Sequence, residues 1–151
     1  MDQPYLEPNA RELERMRALV ARLDDDALRR QVNPHWTVAG VLGHIAFWDE
    51  RVLFLAGKLE RGDAFTASDD EPEEVDWIND SYRRLIHAIE PRELAELAVR
   101  IAEETDARVA SIPAERMYPA DPGSIVNALR AGHRGEHLDD IEAALGAGTA
   151  P

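Results

Sequence analysis

A chain of 151 residues with 44% hydrophobic and 31% charged content has enough apolar material for one core, and too much for a disordered segment. Thirty acidic side chains against 17 basic ones leave a net charge of −13, which argues against nucleic acid or an anionic membrane as a partner. With no cysteine, disulfides, a thiolate nucleophile and zinc–thiolate sites are excluded.

The opening Met1-Asp2-Gln3-Pro4 has neither the charged nor the apolar region of a signal peptide. No apolar run approaches the ~18 residues of a membrane span. The expectation is one cytoplasmic domain over residues 1–151. A first helix is predicted from about Pro8 to Leu23, where Leu13, Met16, Leu19, Val20 and Leu23 recur at three- and four-residue spacing. Asp24-Asp25-Asp26 ends it, Leu28 begins a short extra turn, and Asn33-Pro34 breaks the chain.

A second helix is predicted from the N-cap Thr37 to about Arg61, stopped by Gly62. Its inward stripe holds Val41, His44, Ile45, Trp48, Val52, Leu55 and Leu59. Residues 62–73 read as an acidic exposed loop. The run from Asp69 to Glu74 lacks the alternating oxygen ligands and central glycine of a calcium loop. A third segment, about Glu73 to Ile89, carries Val75, Ile78, Tyr82, Leu85, Ile86 and Ile89. Pro91 suits the first turn of the next helix, which presents Leu94, Leu97, Ala98, Ile101, Thr105, Val109 and Ile112 and closes at Pro113.

After a loop with Pro119, Pro122 and Gly123, the last helix is predicted from about Ser124 to Leu145, with Ile125, Leu129, His133, His137 and Ile141 in its inward row. The tail, about 146–151, reads as disordered. No segment alternates at period two long enough for a strand. The fold class is all-α: a four-helix bundle with an extra helix between the second and third long helices. Short connections predict antiparallel packing.

His133 and His137 stand four residues apart, one turn apart on one helix face, and His44 faces inward from a second helix. One buried histidine is ordinary core. Three uncoordinated imidazoles leave up to six ring nitrogens needing partners, and a divalent metal satisfies three of them at once. Three protein ligands leave coordination positions open, as in catalytic sites. Gly132 and Gly135 each cost about 1 kcal/mol relative to Ala in a helix interior, and are read either as room beside His133 or as close helix contact. His133-Arg134-Gly135-Glu136-His137 also spells the inverted zinc-protease motif. That reading is discounted: Glu136 is rotated about 100° from His137 and reads as solvated, and the third ligand of such enzymes lies well downstream. Arg130 and Arg134 could bind a carboxylate of a ligand, although surface ion pairs with neighbours such as Glu136 are the plainer reading. Trp48 reads as core or pocket wall, His35 as a surface residue, and His87 as an imidazole favoured by a helix C-terminus.

The stretch His35-Trp36-Thr37-Val38-Ala39-Gly40-Val41-Leu42-Gly43-His44-Ile45-Ala46-Phe47-Trp48-Asp49 resembles the second helix of the DinB-like superfamily. It is especially like the branch containing the metal-binding domain of mycothiol-dependent maleylpyruvate isomerases. Asn79, Pro91-Arg92-Glu93-Leu94 and the final His-x-x-x-His continue the match in order. The resemblance implies a four-helix bundle holding a divalent metal, zinc or nickel, through His44, His133 and His137. It also implies a thiol S-transferase acting on a small-molecule substrate with mycothiol, bacillithiol or another low-molecular-weight thiol. The isomerases carry a second, C-terminal domain that this chain is expected to lack, which counts against isomerase activity. The alternatives are a non-catalytic metal- or ligand-binding bundle and a module that forms a homodimer through an apolar face.

Overall fold

In the computed structural model, residues 2–63, 72–117 and 126–147 are described. Among these residues seven helices follow one another: α1 (Leu6–Arg22), α2 (Asp25–Arg29), α3 (Val38–Arg61), α4 (Pro72–His87), α5 (Pro91–Ser111), α6 (Ala114–Met117) and α7 (Ala131–Ala147). Among the described residues the only extended pairing is an isolated bridge between Gln31 and Thr37. The fold is the expected all-α bundle, with α1, α3, α5 and α7 as the long helices and α4 as the extra one. No helix among the described residues is long and apolar enough to cross a membrane.

Local chemistry sets most of the ends. The Asp24 carboxylate accepts from the Ala27 N–H at 2.8 Å, which caps the short α2. Thr37 Oγ1 accepts from the Gly40 N–H at 2.9 Å and opens α3. Gly62, at φ 75°, closes it, as the Gly62 and Asp63 N–H groups return to the carbonyls of Leu59 and Lys58. The Glu90 carboxylate accepts from the Glu93 N–H ahead of Pro91 and starts α5.

The last helix departs from expectation. It begins at Ala131, so Leu129 stands in an irregular segment, 44% exposed; Ile125 lies outside the described residues. The cause is Asn9 on α1. Its Oδ1 accepts from the Arg130 and Ala131 N–H groups at 2.8 and 2.9 Å, and its Nδ2 donates to the Ala128 carbonyl. A cap supplied from the far end of the chain therefore sets where α7 starts. At the other end α7 runs through Ala147, so Gly146 and Ala147 are helical rather than tail. The loop prolines Pro119 and Pro122, with Gly123, and most of the acidic loop, residues 64–71, lie outside the described residues.

Short connections predict antiparallel neighbours, and α1 with α5 and α3 with α7 do run so, but two pairs are parallel: Asn9 meets Arg130 and Arg22 meets Glu142, so α1 and α7 share a direction. Thr105 bonds the Asp49 carbonyl, Arg108 meets Glu60, and Leu94 lies beside Gly43, so α3 and α5 run parallel. The intervening α4 carries the chain back between them. Two apolar clusters fill the interior. One is built on Val38–Ala46 of α3 with Leu94, Ala98 and Ala102 of α5; the other on Val52 and Ala56 with Val109, Ile112 and Tyr5. Asp49 and Thr105 lie between the clusters along their helices.

The close contacts that require glycine fall on α3 rather than α7. A Cβ at Gly40 would lie 2.4 Å from His87 Nε2, and one at Gly43 would lie 2.8 Å from Ile86 Cγ2. These glycines let α4 approach α3. His87 serves this contact: Nε2 accepts from the Thr37 N–H while Nδ1 meets the Arg83 carbonyl. A Cβ at Gly132 meets nothing within 4 Å, and one at Gly135 only touches the Glu12 carboxylate, so neither reserves space beside His133. Gly43→Ala should lower stability by about 1–2 kcal/mol in urea unfolding despite alanine's better helix propensity. Gly132→Ala should hold or raise it by a few tenths to about 1 kcal/mol.

Candidate metal centre

Asp49 is 0% exposed and unites three helices. Its two carboxylate oxygens accept from Arg130 Nε at 2.8 Å and Arg134 Nε at 3.0 Å. Arg134, also 0% exposed, places its other two nitrogens on the two oxygens of Asp106, each at 2.9 Å. Two arginines and two aspartates thus balance their charges inside the bundle, and the counter-charges of Asp49 and Asp106 raise the Arg134 pKa against its desolvation. The surface ion pairs expected for Arg130 and Arg134 do not form; both side chains turn inward. The signal in the sequence was Asp49 itself, a charge set in the apolar stripe between Ile45 and Val52.

With α7 held in this way, His133 and His137 face His44. The His44 Nε2 atom lies 3.1 Å from Nε2 of each, and one ligand atom from each of the three residues falls within 4.8 Å of the others. A metal–nitrogen bond of about 2.1 Å puts neighbouring nitrogens about 3.0 Å apart in octahedral geometry and about 3.4 Å apart in tetrahedral geometry. The observed spacing lies between those values, and the three side chains form a cluster that could hold a metal ion. His35 is exposed and stays outside the cluster, as does His87.

Hydrogen bonding fixes the tautomer of His44. The Trp48 indole N–H can only donate, and it donates to Asn79 Oδ1 at 2.9 Å. The Tyr82 hydroxyl faces the same oxygen at 2.8 Å, so it donates too. Its own oxygen is then left to accept from His44 Nδ1 at 2.7 Å. The proton sits on Nδ1, and the Nε2 lone pair points to the centre. Sequence reading reached Trp48 and Asn79 but missed Tyr82 as the link, because the chain from α3 through α4 exists only once the two helices pack. His137 Nδ1 lies 3.4 Å from the Asp140 carboxylate, and His133 Nδ1 is buried without a partner.

Burial and the neighbouring His137 hold His44 neutral, with a pKa lowered to about 3. Burial, the other two imidazoles and then Arg130 and Arg134 lower His133 to about 2. Neutral imidazole is the form that binds a metal. The three histidines line a cavity of about 490 Å³ whose walls include Trp36, Trp48, Val41, Asn79 and Arg130. Trp48 is thus a half-buried pocket wall rather than core.

The sequence profile of the DinB superfamily matches residues 10–138, and the chain belongs to that superfamily. No curated protein and no solved structure matches it significantly.

Asp49→Ala should cost about 3–5 kcal/mol in denaturant unfolding, because it leaves two buried guanidinium groups short of a counter-charge. A pH dependence follows from the imidazoles. Their folded pKa values lie below the ordinary imidazole value of 6.5, so as pH falls below about 6.5 the unfolded chain takes up protons that the folded chain refuses. Stability of chelator-treated protein should be full above that pH and decline as pH drops toward about 3, the value to which His44 is lowered. Urea midpoints between pH 7.5 and 5.5 should fall, and a His44→Asn/His133→Asn variant should flatten the slope.

Proposed function

We propose that this DinB-superfamily chain holds a divalent metal, zinc or nickel, through His44, His133 and His137 and works as a metal-dependent thiol S-transferase. Its co-substrate is a low-molecular-weight thiol such as mycothiol or bacillithiol, and its setting is the cytoplasm. The observation that carries the reading is the meeting of the three histidines, with His44 Nε2 lying 3.1 Å from Nε2 of both His133 and His137, beside a cavity that they line. Three imidazoles leave coordination positions open.

A bound divalent ion supplies charge that lowers the pKa of a thiol reaching those positions. The chain's own residues prepare the place. Tyr82 orients His44, the Asp49 ion pairs hold α7 in register, and the faces of Trp36 and Trp48 give the cavity apolar walls that limit water. Without a cysteine, the chain takes its thiol from a co-substrate.

Elemental mass spectrometry of untagged protein should find about one equivalent of metal, and a folded His133→Ala/His137→Ala variant should have none. Tyr82→Phe, which removes the acceptor for His44 Nδ1–H, should weaken metal binding by about 10–100-fold. Thiol transfer by the loaded protein should disappear with chelator and in His44→Ala. Metal uptake without turnover against several thiols would instead favour a non-catalytic binding bundle, and absence of metal after reconstitution would overturn the reading.

A further inference from the structure

Arg130 is 4% exposed, yet it lines the cavity with His133 and His137. Its Nε is committed to Asp49 at 2.8 Å. Its two terminal nitrogens make no hydrogen bond to any described residue, and neither is sealed from solvent as an unpartnered buried atom. Arg134 differs: all three of its nitrogens are engaged, by Asp49, Asp106 and the Ala102 carbonyl. The two arginines, expected to act alike, therefore have different capacities. One is structural throughout. The other is anchored at Nε and presents the open end of its guanidinium to the cavity.

An unsatisfied guanidinium edge lining a cavity calls for an oxyanion. The planar, two-pronged edge matches a carboxylate best. Arg130 also immediately precedes the positive N-terminal end of α7, which favours the same charge. Among the described residues, the only carboxylate lining this cavity is that of Asp140, on the far side of His137 in the sequence and already beside its Nδ1.

We infer that Arg130 forms a carboxylate-binding subsite beside the three histidines, so that the physiological ligand is a small carboxylic acid whose acid group docks on Arg130 while its reacting end faces the histidine cluster. This deepens the function proposed above and rests on it for the second contact alone. The carboxylate could belong to the thiol or to the acceptor that receives it, and two ligand pairs separate these sources. The first pair is 3-mercaptopropionate and 3-mercaptopropionamide, titrated calorimetrically into protein loaded with cobalt(II). The second is 3-phenylpropionate and its amide, titrated into both loaded and chelator-treated protein.

In at least one pair the acid should bind about tenfold or more tightly than the amide, and Arg130→Gln should abolish that preference while leaving amide binding in place. A preference confined to the first pair assigns the carboxylate to the thiol; one in the second pair assigns it to the acceptor. Equal binding of acid and amide in both pairs, or a preference that survives Arg130→Gln, overturns the inference. If Arg130→Gln does not fold, the charge-balanced Arg130→Gln/Asp49→Asn variant replaces it with the same expectations. Failure to take up cobalt would sink the metal reading alone, because the phenylpropionate pair on chelated protein still decides the role of Arg130.

Discussion

The arrangement of this bundle depends on one buried carboxylate. Asp49 comes from the middle of α3, and both arginines that reach it come from α7 or the residue before it. The apolar face of α7 is poor: Leu138 and Ile141 are buried, but His133, Arg134 and His137 occupy positions where a core helix would place aliphatic side chains. Hydrophobic contact alone defines the register of such a helix weakly. A bidentate guanidinium pair defines it sharply, because a shift of one residue moves the side chain about 1.5 Å along the axis and about 100° around it. Arg134 is locked to α3 through Asp49 and to α5 through Asp106. Its neighbour His133 is thereby placed against His44.

Buried ion pairs are weak evidence of stability, since desolvation offsets most of the attraction, but they can select one arrangement over others. Here the selected arrangement has a chemical consequence. The same arginines that fix the register lie close enough to His133 to add to burial in keeping it neutral. A network that serves as framework therefore also helps keep His133 in its neutral form. The arrangement is economical in sequence, since Arg130, His133, Arg134 and His137 fall within eight consecutive residues, 130–137.

Much of this was legible in the sequence wherever the determinant is local. Thr37, Gly62 and Pro91 mark helix ends by their own backbone chemistry, and all three mark them in the structure. The four-residue spacing of His133 and His137 and the inward position of His44 were sufficient to bring these three together. The failures share a cause, which is dependence on a distant partner. Periodicity extended α7 back to Ser124, whereas Asn9 starts it at Ala131. Arg130 and Arg134 looked like surface residues because their counter-charges, Asp49 and Asp106, belong to other helices. Glycine cost was assigned to Gly132 and Gly135, which carry little steric demand, and not to Gly40 and Gly43, because the side chains that crowd them come from α4 and α5. A charged residue in an apolar stripe, as Asp49 is, was the one clue to the network available without the fold.

The chain of hydrogen bonds behind His44 shows why its orientation persists across conditions. The direction of each bond follows from the Trp48 indole, which has a proton to give and no lone pair to accept with. The only member whose ionisation could reverse that order is Tyr82, as a phenolate could take the His44 proton and free the ring to turn. Burial raises the Tyr82 pKa above the ordinary phenol value, which keeps the hydroxyl protonated at neutral pH. The Asn79 carbonyl oxygen, taking protons from both Trp48 and Tyr82, completes a one-way order that ends with a lone pair on His44 Nε2. Orientation at the centre thus rests on an indole at one end of the relay, three residues removed from the nitrogen it controls.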